Sequence, residues 1–429
     1  MRENFLHYIW QHQYFNKSSL LTVRGEKVNI LHAGHHNLMS GPDFSEARIE
    51  IGDLLWTGHV EIHIKSSDWD HHKHFKDPAY NNVILHVVWS DDKQIIREDG
   101  TAPPTLELKH RVDKSLMYEY EQFITNPRDI VCSSKLPNVP EITKISMIEK
   151  ALVSRLERKS EHVLKILAQN ENDWEETSYQ QLALGFGFKS NSNAFHELSK
   201  VLPVKTLYKQ ADNLLQIEAL LYGQAGLLTG RSKDAYHQKL KDEFVFLKRK
   251  YSLPDNMLRA SIWKTGRLRP ANFPTIRIAQ LSAVLHSLKN LFSSFLGAQS
   301  LPELRHILRP APSVYWQDHF LFGEAVKTKS AALGLQSADI LVINVVAPIL
   351  SAYSIYVDDQ SYMNQAIALF ESIKPEKNSI IKRWEAVEIT PSSAADSQGL
   401  IELYNSFCLN KNCLSCNIGA SILKHRFVQ

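Results

Sequence analysis

The feature that most constrains the fold is a change in the period of the hydrophobic pattern near residue 140. Between Val28 and Trp89, short β-rich runs are separated by Gly, Pro, Asn and Asp, and two of them alternate with a period of two. From residue 141 onward, apolar residues recur at helical spacing. The sequence therefore predicts an α+β fold, in which an N-terminal mixed β-sheet domain precedes a large all-helical region.

The predicted domain boundaries follow the same pattern. A short amphipathic helix is expected within residues 1–15, at the start of a sheet domain that spans 1–126. A Pro-containing stretch at 127–140 predicts a linker, and 141–429 forms a helical region long enough for two subdomains. The continuously apolar run Val83–Val88 predicts a central strand of the sheet.

Composition and the chain start exclude several classes of protein. The chain has 429 residues, is 44% hydrophobic and carries a net charge of +3, which excludes a disordered chain, an acidic tail protein and a histone-like polycation. Charged residues and a histidine occupy residues 2–10, where a signal peptide needs an apolar core. The apolar run 340–357 contains Asn344 and Pro348 and predicts a buried helix rather than a membrane span. We therefore expect a cytoplasmic protein with no membrane partner.

Acidic, imidazole and amine groups share one strand of the predicted sheet. Asp43 precedes one strand, and Glu61, His63 and Lys65 alternate along the next, so these three project from the same face. Burying such a polar face without partners costs free energy, which predicts that it lines a cleft. Asp43 and Glu61 offer the oxygen ligands that suit Mg²⁺ or Mn²⁺, and His63 or Lys65 would orient or deprotonate a water molecule. The alternative is a non-catalytic sheet face.

These residues resemble the catalytic core of the restriction-endonuclease-like nucleases. The pattern of that family is Pro-Asp, a spacer, Asp or Glu, any residue, and Lys; Pro42-Asp43 and Glu61 match its first two elements. His63 stands where the family has its lysine, and Lys65 follows one strand period later. The resemblance implies a nuclease-like fold and metal-dependent cleavage of phosphodiesters by Asp43, Glu61, His63 and Lys65.

Histidines are concentrated in the same region. Nine of the 19 histidines fall between His32 and His86. The loop at 69–77 places imidazoles and carboxylates between two strands, where they can complete a metal site or bind phosphate when protonated. The alternative is a solvated loop beside a core histidine. The candidate accessory residues are His72, His74, Asp77 and His86.

The four cysteines form a second candidate metal site. Cys408, Cys413 and Cys416 present three thiols within nine residues, and Cys132 is the one cysteine left to complete a set of four ligands. Spacing leaves zinc and iron–sulfur open, and the thiols could also be merely buried. One remote and three C-terminal cysteines resemble the arrangement in CRISPR-associated exonucleases, which implies a [4Fe–4S] cluster. In those proteins the remote cysteine precedes the catalytic acids, whereas Cys132 follows them.

A basic segment lies in the helical region. From Arg231 to Arg277 there are 12 Lys+Arg against 4 Asp+Glu, a local excess of +8, with aromatic residues interleaved. This combination can follow a phosphate backbone and stack on bases, although a solvated helix face gives the same pattern. The candidate nucleic-acid-binding residues are Lys248, Arg249, Lys250, Arg267 and Arg269.

The chain as a whole resembles an uncharacterised bacterial family, a domain of unknown function. The resemblance runs nearly end to end, and that family has no established activity to transfer. It rests on Gly41-Pro-Asp-Phe44, Gly58-His-Val-Glu-Ile-His63, Ser67-Asp-Trp69, the spacing of His72, His74, Asp77 and Tyr80, the strand Val83–Val88, Gly223-Gln-Ala-Gly-Leu-Leu228, Arg267-Leu-Arg-Pro-Ala-Asn-Phe-Pro274 and the terminal cysteines.

Three functional hypotheses follow from these observations. The first is a metal-dependent nuclease or nuclease-like protein that acts on DNA or RNA with Mg²⁺ or Mn²⁺. The second is a non-catalytic nucleic-acid-binding or scaffold protein with a structural metal site. The third is a metal hydrolase of a small substrate, with the histidine loop supplying the ligands.

Overall fold

A computed structural model describes residues 2–37, 40–230, 233–327 and 332–424 of the chain. The chain divides into two compact units. The first combines Met1–Met147 with Leu403–Gln429, and the second is Ile148–Glu402. The C-terminal segment therefore belongs with the sheet, and the boundary lies within the long helix Glu141–Gln169. The α+β prediction, a mixed sheet near the N-terminus and a large helical region, is confirmed.

The first unit is built on a six-stranded mixed sheet. Its spatial order is β1-β3-β4-β5-β6, and β2 pairs with one end of β3. The pairs β1–β3 and β3–β4 are antiparallel, whereas β4–β5 and β5–β6 are parallel. The strands are β1 Val28–His32, β2 His35–His36, β3 Phe44–Ile51, β4 Leu54–Lys65, β5 Val83–Ser90 and β6 Thr105–Glu107.

The sequence pattern of the two central strands explains their position. β5 is buried along its first six residues, as its continuously apolar sequence predicts. β4 is exposed over its first four residues and buried from Val60 to His63, where it lies between β3 and β5. The polar face of β4 was expected to line a cleft. Glu61 and His63 are instead buried, and the histidines described below supply the polar partners that such burial requires.

Helices and turns complete the first unit around the sheet. The amphipathic N-terminal helix α1, Glu3–Gln11, packs against β4. Residues 127–140, predicted as a linker, bury Ile130, Val131 and Leu136 and form a turn of 3-10 helix at Ser133–Asn138. The other helices of this unit are α2 Asp68–His71, α3 Lys114–Thr125 and the C-terminal helix Asn417–Lys424, with 3-10 turns at His74–Lys76, Pro78–Tyr80 and Cys413–Ser415.

The second unit is helical around one large apolar core. Two central helices, α8 and α10, are buried over most of their residues, because other helices surround them. Its α-helices are the end of α4 Glu141–Gln169, then α5 Trp174–Phe186, α6 Ser192–Val201, α7 Val204–Tyr208, α8 Leu214–Gln224, α9 Ala235–Lys250, α10 Pro274–Ser287, α11 Leu291–Gly297, α12 Leu301–Ile307, α13 Leu335–Leu341, α14 Ala347–Val357, α15 Gln360–Ser372, α16 Ser379–Glu385 and α17 Ala394–Glu402. Strands β7 His319–Leu321 and β8 Glu324–Ala325 form a hairpin in the same unit. The C-terminal helix of the first unit, Asn417–Lys424, is numbered α18.

The most apolar helical segment of the chain is Leu335–Val357. It has the length and composition of a membrane span, and 67% of its most apolar window is buried within the protein. A turn of π-helix at Val342–Val346 joins α13 to α14 within this segment. Val342, Val345 and Val346 belong to the apolar core of the second unit. The segment thus occupies the position of a core helix.

Candidate metal centre

Strand pairing brings the two predicted acidic ligands together. Antiparallel pairing sets Phe44 of β3 opposite Val60 of β4, so Asp43 and Glu61 become neighbours across the pair. The backbone N–H of Asp43 donates to Glu61 Oε2 at 3.1 Å, and the N–H of Ile62 donates to Asp43 Oδ2 at 2.9 Å. Each carboxylate therefore accepts a backbone hydrogen bond from the other side of the strand pair, which orients both side chains.

Three imidazoles gather beside Glu61. The distance from Glu61 Oε1 is 3.2 Å to His74 Nε2 and 3.6 Å to His63 Nε2, and His63 Nε2 lies 3.1 Å from His72 Nδ1. One ligand atom from each of His63, His72 and His74 lies within 4.8 Å of the other two. Between His72 and His74, Lys73 takes a left-handed conformation with φ of 64°, which turns the chain at this point. We call Glu61, His63, His72 and His74 the ligand cluster.

Three separations within the ligand cluster are close to those between ligands of a small divalent cation. Nitrogen and oxygen ligands about 2.0–2.1 Å from a tetrahedral ion lie about 3.4 Å from one another. The separations that join Glu61 to His63 and His74, and His63 to His72, run from 3.1 to 3.6 Å. A donor set of imidazoles with one carboxylate favours Zn²⁺ or another transition metal over Mg²⁺, which prefers an all-oxygen shell.

Two residues behind the cluster orient its histidines. His63 Nδ1 lies 2.9 Å from Nε2 of His86, a fully buried residue that parallel pairing of β4 and β5 sets opposite Glu61. When His63 Nδ1 donates to His86, His63 Nε2 keeps its lone pair toward Glu61 and His72. The Tyr80 ring stacks on His74 with 3.8 Å between ring centroids. His86 and Tyr80 thus act as positioning residues.

Burial sets the protonation states of the cluster without a cation. Burial, reinforced by the like charge of Asp43, raises the pKa of Glu61 to about 9. Burial and the neighbouring imidazoles lower the pKa of His63 to about 2, and burial lowers that of His86 to about 3. At neutral pH these imidazoles are neutral, which is the form that binds metals. A bound cation would favour the ionised form of Glu61.

A second group, which the sequence analysis missed, lies on α1. His7 Nε2 is 3.2 Å from Asp43 Oδ2, and the ring is largely buried. His7 and Asp43 also line a cavity of about 360 Å³, together with His36 and with Lys411 and Ser415 of the C-terminal segment. The signal in the sequence was a histidine on the otherwise apolar face of an N-terminal helix, which spacing alone does not connect to Asp43.

The remaining residues predicted for this site have other surroundings. The Asp77 carboxylate accepts from Ala79 N–H at 2.9 Å and caps the 3-10 turn that follows. Lys65 is exposed at the end of β4, where its backbone N–H donates to Asp68 at 2.9 Å and its ammonium charge acts on Asp92. Contacts among the described residues do not join Lys65 to the carboxylates of Asp43 and Glu61.

The four cysteines come together within the first unit. Cys132, Cys413 and Cys416 are buried and Cys408 is half-buried, and none forms a disulfide. Burial raises the pKa of Cys132 to about 12, with Cys416 and Cys413 adding to the shift. Burial also raises the pKa of Cys408, and all three other cysteines contribute. These mutual electrostatic effects indicate that Cys132 lies in the same region of the first unit as the C-terminal three.

The predicted basic residues lie in the second unit, on two segments. Lys248, Arg249 and Lys250 occupy the last turn of α9, where cations interact favourably with the helix dipole. Lys248 also pairs with Asp255. Arg267 and Arg269 are exposed in the segment before α10. The helix end therefore gives the first three residues a structural role that does not require nucleic acid.

Comparisons with known proteins identify a family for this chain and assign no activity to it. No curated protein and no solved structure matches it. A family model matches residues 3–379, which include the ligand cluster, His7, Asp43 and Cys132, whereas the three C-terminal cysteines lie beyond the matched range. Since the match covers most of the chain, the protein belongs to the family described as "Protein of unknown function (DUF2851)".

Proposed function

We propose that the first unit is a metal-dependent hydrolase that cleaves phosphodiester bonds of DNA or RNA. The observation that carries this proposal is the convergence of Asp43 and Glu61 with the imidazoles of His63, His72 and His74. Two acidic groups from paired strands beside three imidazoles offer the donors for a divalent cation, and Asp43 also lines an open cavity.

Each residue has a role that follows from its position. Glu61, His63, His72 and His74 would hold the cation, which when bound polarises the phosphoryl group and lowers the pKa of a water molecule. His7 faces the cavity, and Asp43 lies within ion-pair distance of its Nε2. This pair can take a proton from the attacking water or give one to the leaving oxygen, the task first assigned to Lys65 or His63. Arg2, which lines the same cavity, is exposed and can meet substrate phosphate.

Hydrolysis assays on metal-loaded protein test this proposal. Protein stripped with a chelator and reloaded with Zn²⁺, Mn²⁺ or Mg²⁺ should cleave single- or double-stranded DNA or RNA. Asp43→Asn and His7→Gln should each lower turnover by about 10²–10⁴-fold, the usual contribution of a general acid or base and its partner. Asp53→Asn, an exposed acid in the β3–β4 turn, is the matched control and should cut normally. Undiminished cleavage by Asp43→Asn would refute the assignment.

A metal hydrolase of a small substrate is the second candidate, and the three imidazoles favour it. His63, His72 and His74 form a donor set more typical of zinc than of the Mg²⁺ sites of oxygen-only nucleases. Cleavage of a small aromatic phosphodiester or ester by the Zn²⁺ form, with DNA and RNA left intact, would select this reading. Nucleic-acid binding with no cleavage of any substrate would select the non-catalytic alternative.

We also propose that Cys132, Cys408, Cys413 and Cys416 hold one metal centre, either Zn²⁺ or an iron–sulfur cluster. The proposal is supported by the burial or half-burial of all four thiols and by their electrostatic effects on one another's pKa. Buried thiols without a metal gain little from such proximity, whereas thiolates on a shared metal gain all of their ligand bonds. Anaerobic purification followed by metal analysis and an absorption spectrum distinguishes the two: an iron–sulfur centre is coloured, and a zinc centre is not.

A further inference from the structure

A buried arginine without a charged partner lies in the second unit. Arg277, in the first turn of α10, is 6% exposed. Its Nη atoms donate to Gln280 at 2.8 Å and to Asn272 at 2.6 Å, and its Nε is buried with no hydrogen-bond partner. Among the described residues, no carboxylate lies within 4.0 Å of this guanidinium. Burial lowers its pKa to about 10, so it remains charged at neutral pH.

An uncompensated buried charge is costly. Removing a guanidinium from water requires a counter-charge or a full set of hydrogen bonds, and two neutral amide oxygens supply neither. The Phe188 ring lies 4.2 Å from the guanidinium carbon, which offers partial compensation through its π face. Phe188 itself has a φ of 47°, a left-handed conformation that is strained for a bulky side chain. Strain of this kind persists at positions that a ligand site requires.

The arginine opens onto a cavity of about 270 Å³. Arg277 and Phe188 line it, together with Lys189, Asn191 and Leu268. A water molecule occupies about 30 Å³ in the liquid, so the cavity can hold a phosphate and part of the group attached to it. We call this cavity the Arg277 pocket.

A helix N-terminus supplies a second feature for an anion. Asn191, the N-cap residue of the ten-residue helix α6, lines the Arg277 pocket. Its side chain does not cap the helix. It donates to Lys264 O at 2.9 Å and accepts from Lys264 N–H at 2.8 Å, so no side chain caps the first-turn N–H groups of α6. Such groups attract anions through both hydrogen bonds and the helix dipole.

We propose that the Arg277 pocket binds the terminal phosphate of a nucleotide or of a nucleic acid strand. The guanidinium, whose Nε has no hydrogen-bond partner among the described residues, and the end of α6 together match the several acceptor oxygens of a tetrahedral oxyanion. A terminal phosphate fits better than a bridging one, because Arg277 is 94% buried and a phosphate must enter the pocket to reach it. Phe188, Phe195 and Leu268 provide apolar walls for the body of the ligand. This site lies within the second unit and does not rest on the proposed hydrolase.

Titration calorimetry on the full chain tests the proposal. The probes are inorganic phosphate, adenosine monophosphate, and one trinucleotide prepared with either a 5′-phosphate or a 5′-hydroxyl. Ligands that carry a terminal phosphate should bind, whereas adenosine and the 5′-hydroxyl trinucleotide should not. Tighter binding of the monophosphate points to a free nucleotide as ligand, and tighter binding of the 5′-phosphorylated strand points to a strand end. Equal binding of the two trinucleotides, or binding of no phosphate, overturns the proposal.

Substitutions assign the binding to this pocket. Arg277→Met should weaken phosphate binding by at least about tenfold, the loss expected for a charge-assisted hydrogen bond. Arg259→Met, an exposed arginine of the same basic segment, is the matched control and should bind as the original protein does. Ser190→Glu places a competing carboxylate at an exposed lining position and should weaken binding even if Arg277→Met does not fold. Unchanged affinity in Ser190→Glu, or in folded Arg277→Met, refutes the assignment.

Discussion

Replacing His86 by phenylalanine separates metal binding from folding. His86 is fully buried, and its Nε2 lies 2.9 Å from His63 Nδ1. Its Nδ1 has no hydrogen-bond partner in the described part of the chain. His86 would therefore act on the proposed cation through His63, as a positioning residue. Its removal should affect the metal-bound state more than the metal-free state.

The structure sets the expected size of this effect. Loss of a hydrogen-bond partner behind a histidine ligand lowers metal affinity by about 10–100-fold, which corresponds to about 1.4–2.7 kcal/mol. For a folding unit of this size, each kcal/mol moves the Tm by about 2–4 °C, so the rise in Tm on adding Zn²⁺ should shrink by about 3–10 °C. Without metal, His86→Phe inserts a larger ring and leaves the buried Nδ1 of His63 without its partner, so the free energy of unfolding should already fall by about 1–3 kcal/mol.

Zinc titration against a chromophoric chelator, combined with thermal unfolding with and without Zn²⁺, measures both quantities. His86→Gln keeps a group able to hydrogen-bond to His63 and should recover part of the affinity. His71→Phe, at a histidine whose side chain is 74% exposed, is the control and should bind zinc normally. Normal zinc affinity in His86→Phe, or the same loss of stability with and without Zn²⁺, would show that His86 only fills the core.

Three further predictions concern other parts of the chain. Burial raises the pKa of Glu218 from 4.5 to about 7, so the free energy of unfolding should fall as the pH rises from 4.5 to 7. Glu218→Gln should remove this contribution and raise the free energy of unfolding at pH 8 by up to about 3 kcal/mol, with no gain at pH 4. Urea unfolding at the two pH values measures both. A Cβ on Gly419 would lie 2.2 Å from Cys413 O, so Gly419→Ala should lower the free energy of unfolding by about 1–3 kcal/mol and reduce the metal content of the cysteine group. Gly297→Ala is the control and should change neither quantity, because a Cβ there would meet open space. Cys132→Ser should remove the metal bound by the C-terminal cysteines, and elemental analysis that finds full occupancy would show that Cys132 is not a ligand.

The strands and helices were largely predictable, because each is encoded by a local period. The apolar run Val83–Val88 lies within β5, and the helical spacing predicted from residue 141 onward begins with α4. The helix α10 is buried on nearly all sides and shows little amphipathic pattern, so its sequence did not mark it as a helix. A helical period in the sequence arises when one face of a helix is buried and the opposite face is exposed. Residues Pro274–Leu285 of α10 are all buried, so this helix has no exposed face to create the period.

The candidate site was predictable in part. Asp43 and Glu61 were singled out from residue type and spacing, and strand pairing brings them together. His72 and His74 belonged to a larger set of histidines from which the sequence alone could not choose, since the choice depends on how the chain turns at Lys73. The spacing of β4 predicted a cleft because its polar side chains had no visible partners within the strand. Their hydrogen-bond and ion-pair partners in the interior are histidines from other segments of the chain.

The sequence by itself determined the α+β class, the order of elements and the types of residue available for chemistry, because backbone propensity and hydrophobic period are local properties. Only the tertiary structure decided which of those residues meet. It brought His7 to Asp43, placed Cys132 with the C-terminal cysteines and buried Arg277 without a counter-charge. These outcomes depend on contacts between residues far apart in the chain. Which distant residues meet depends on how whole faces of helices and sheets pack to bury apolar surface. The spacing of two residues along the sequence therefore does not show that they will be in contact.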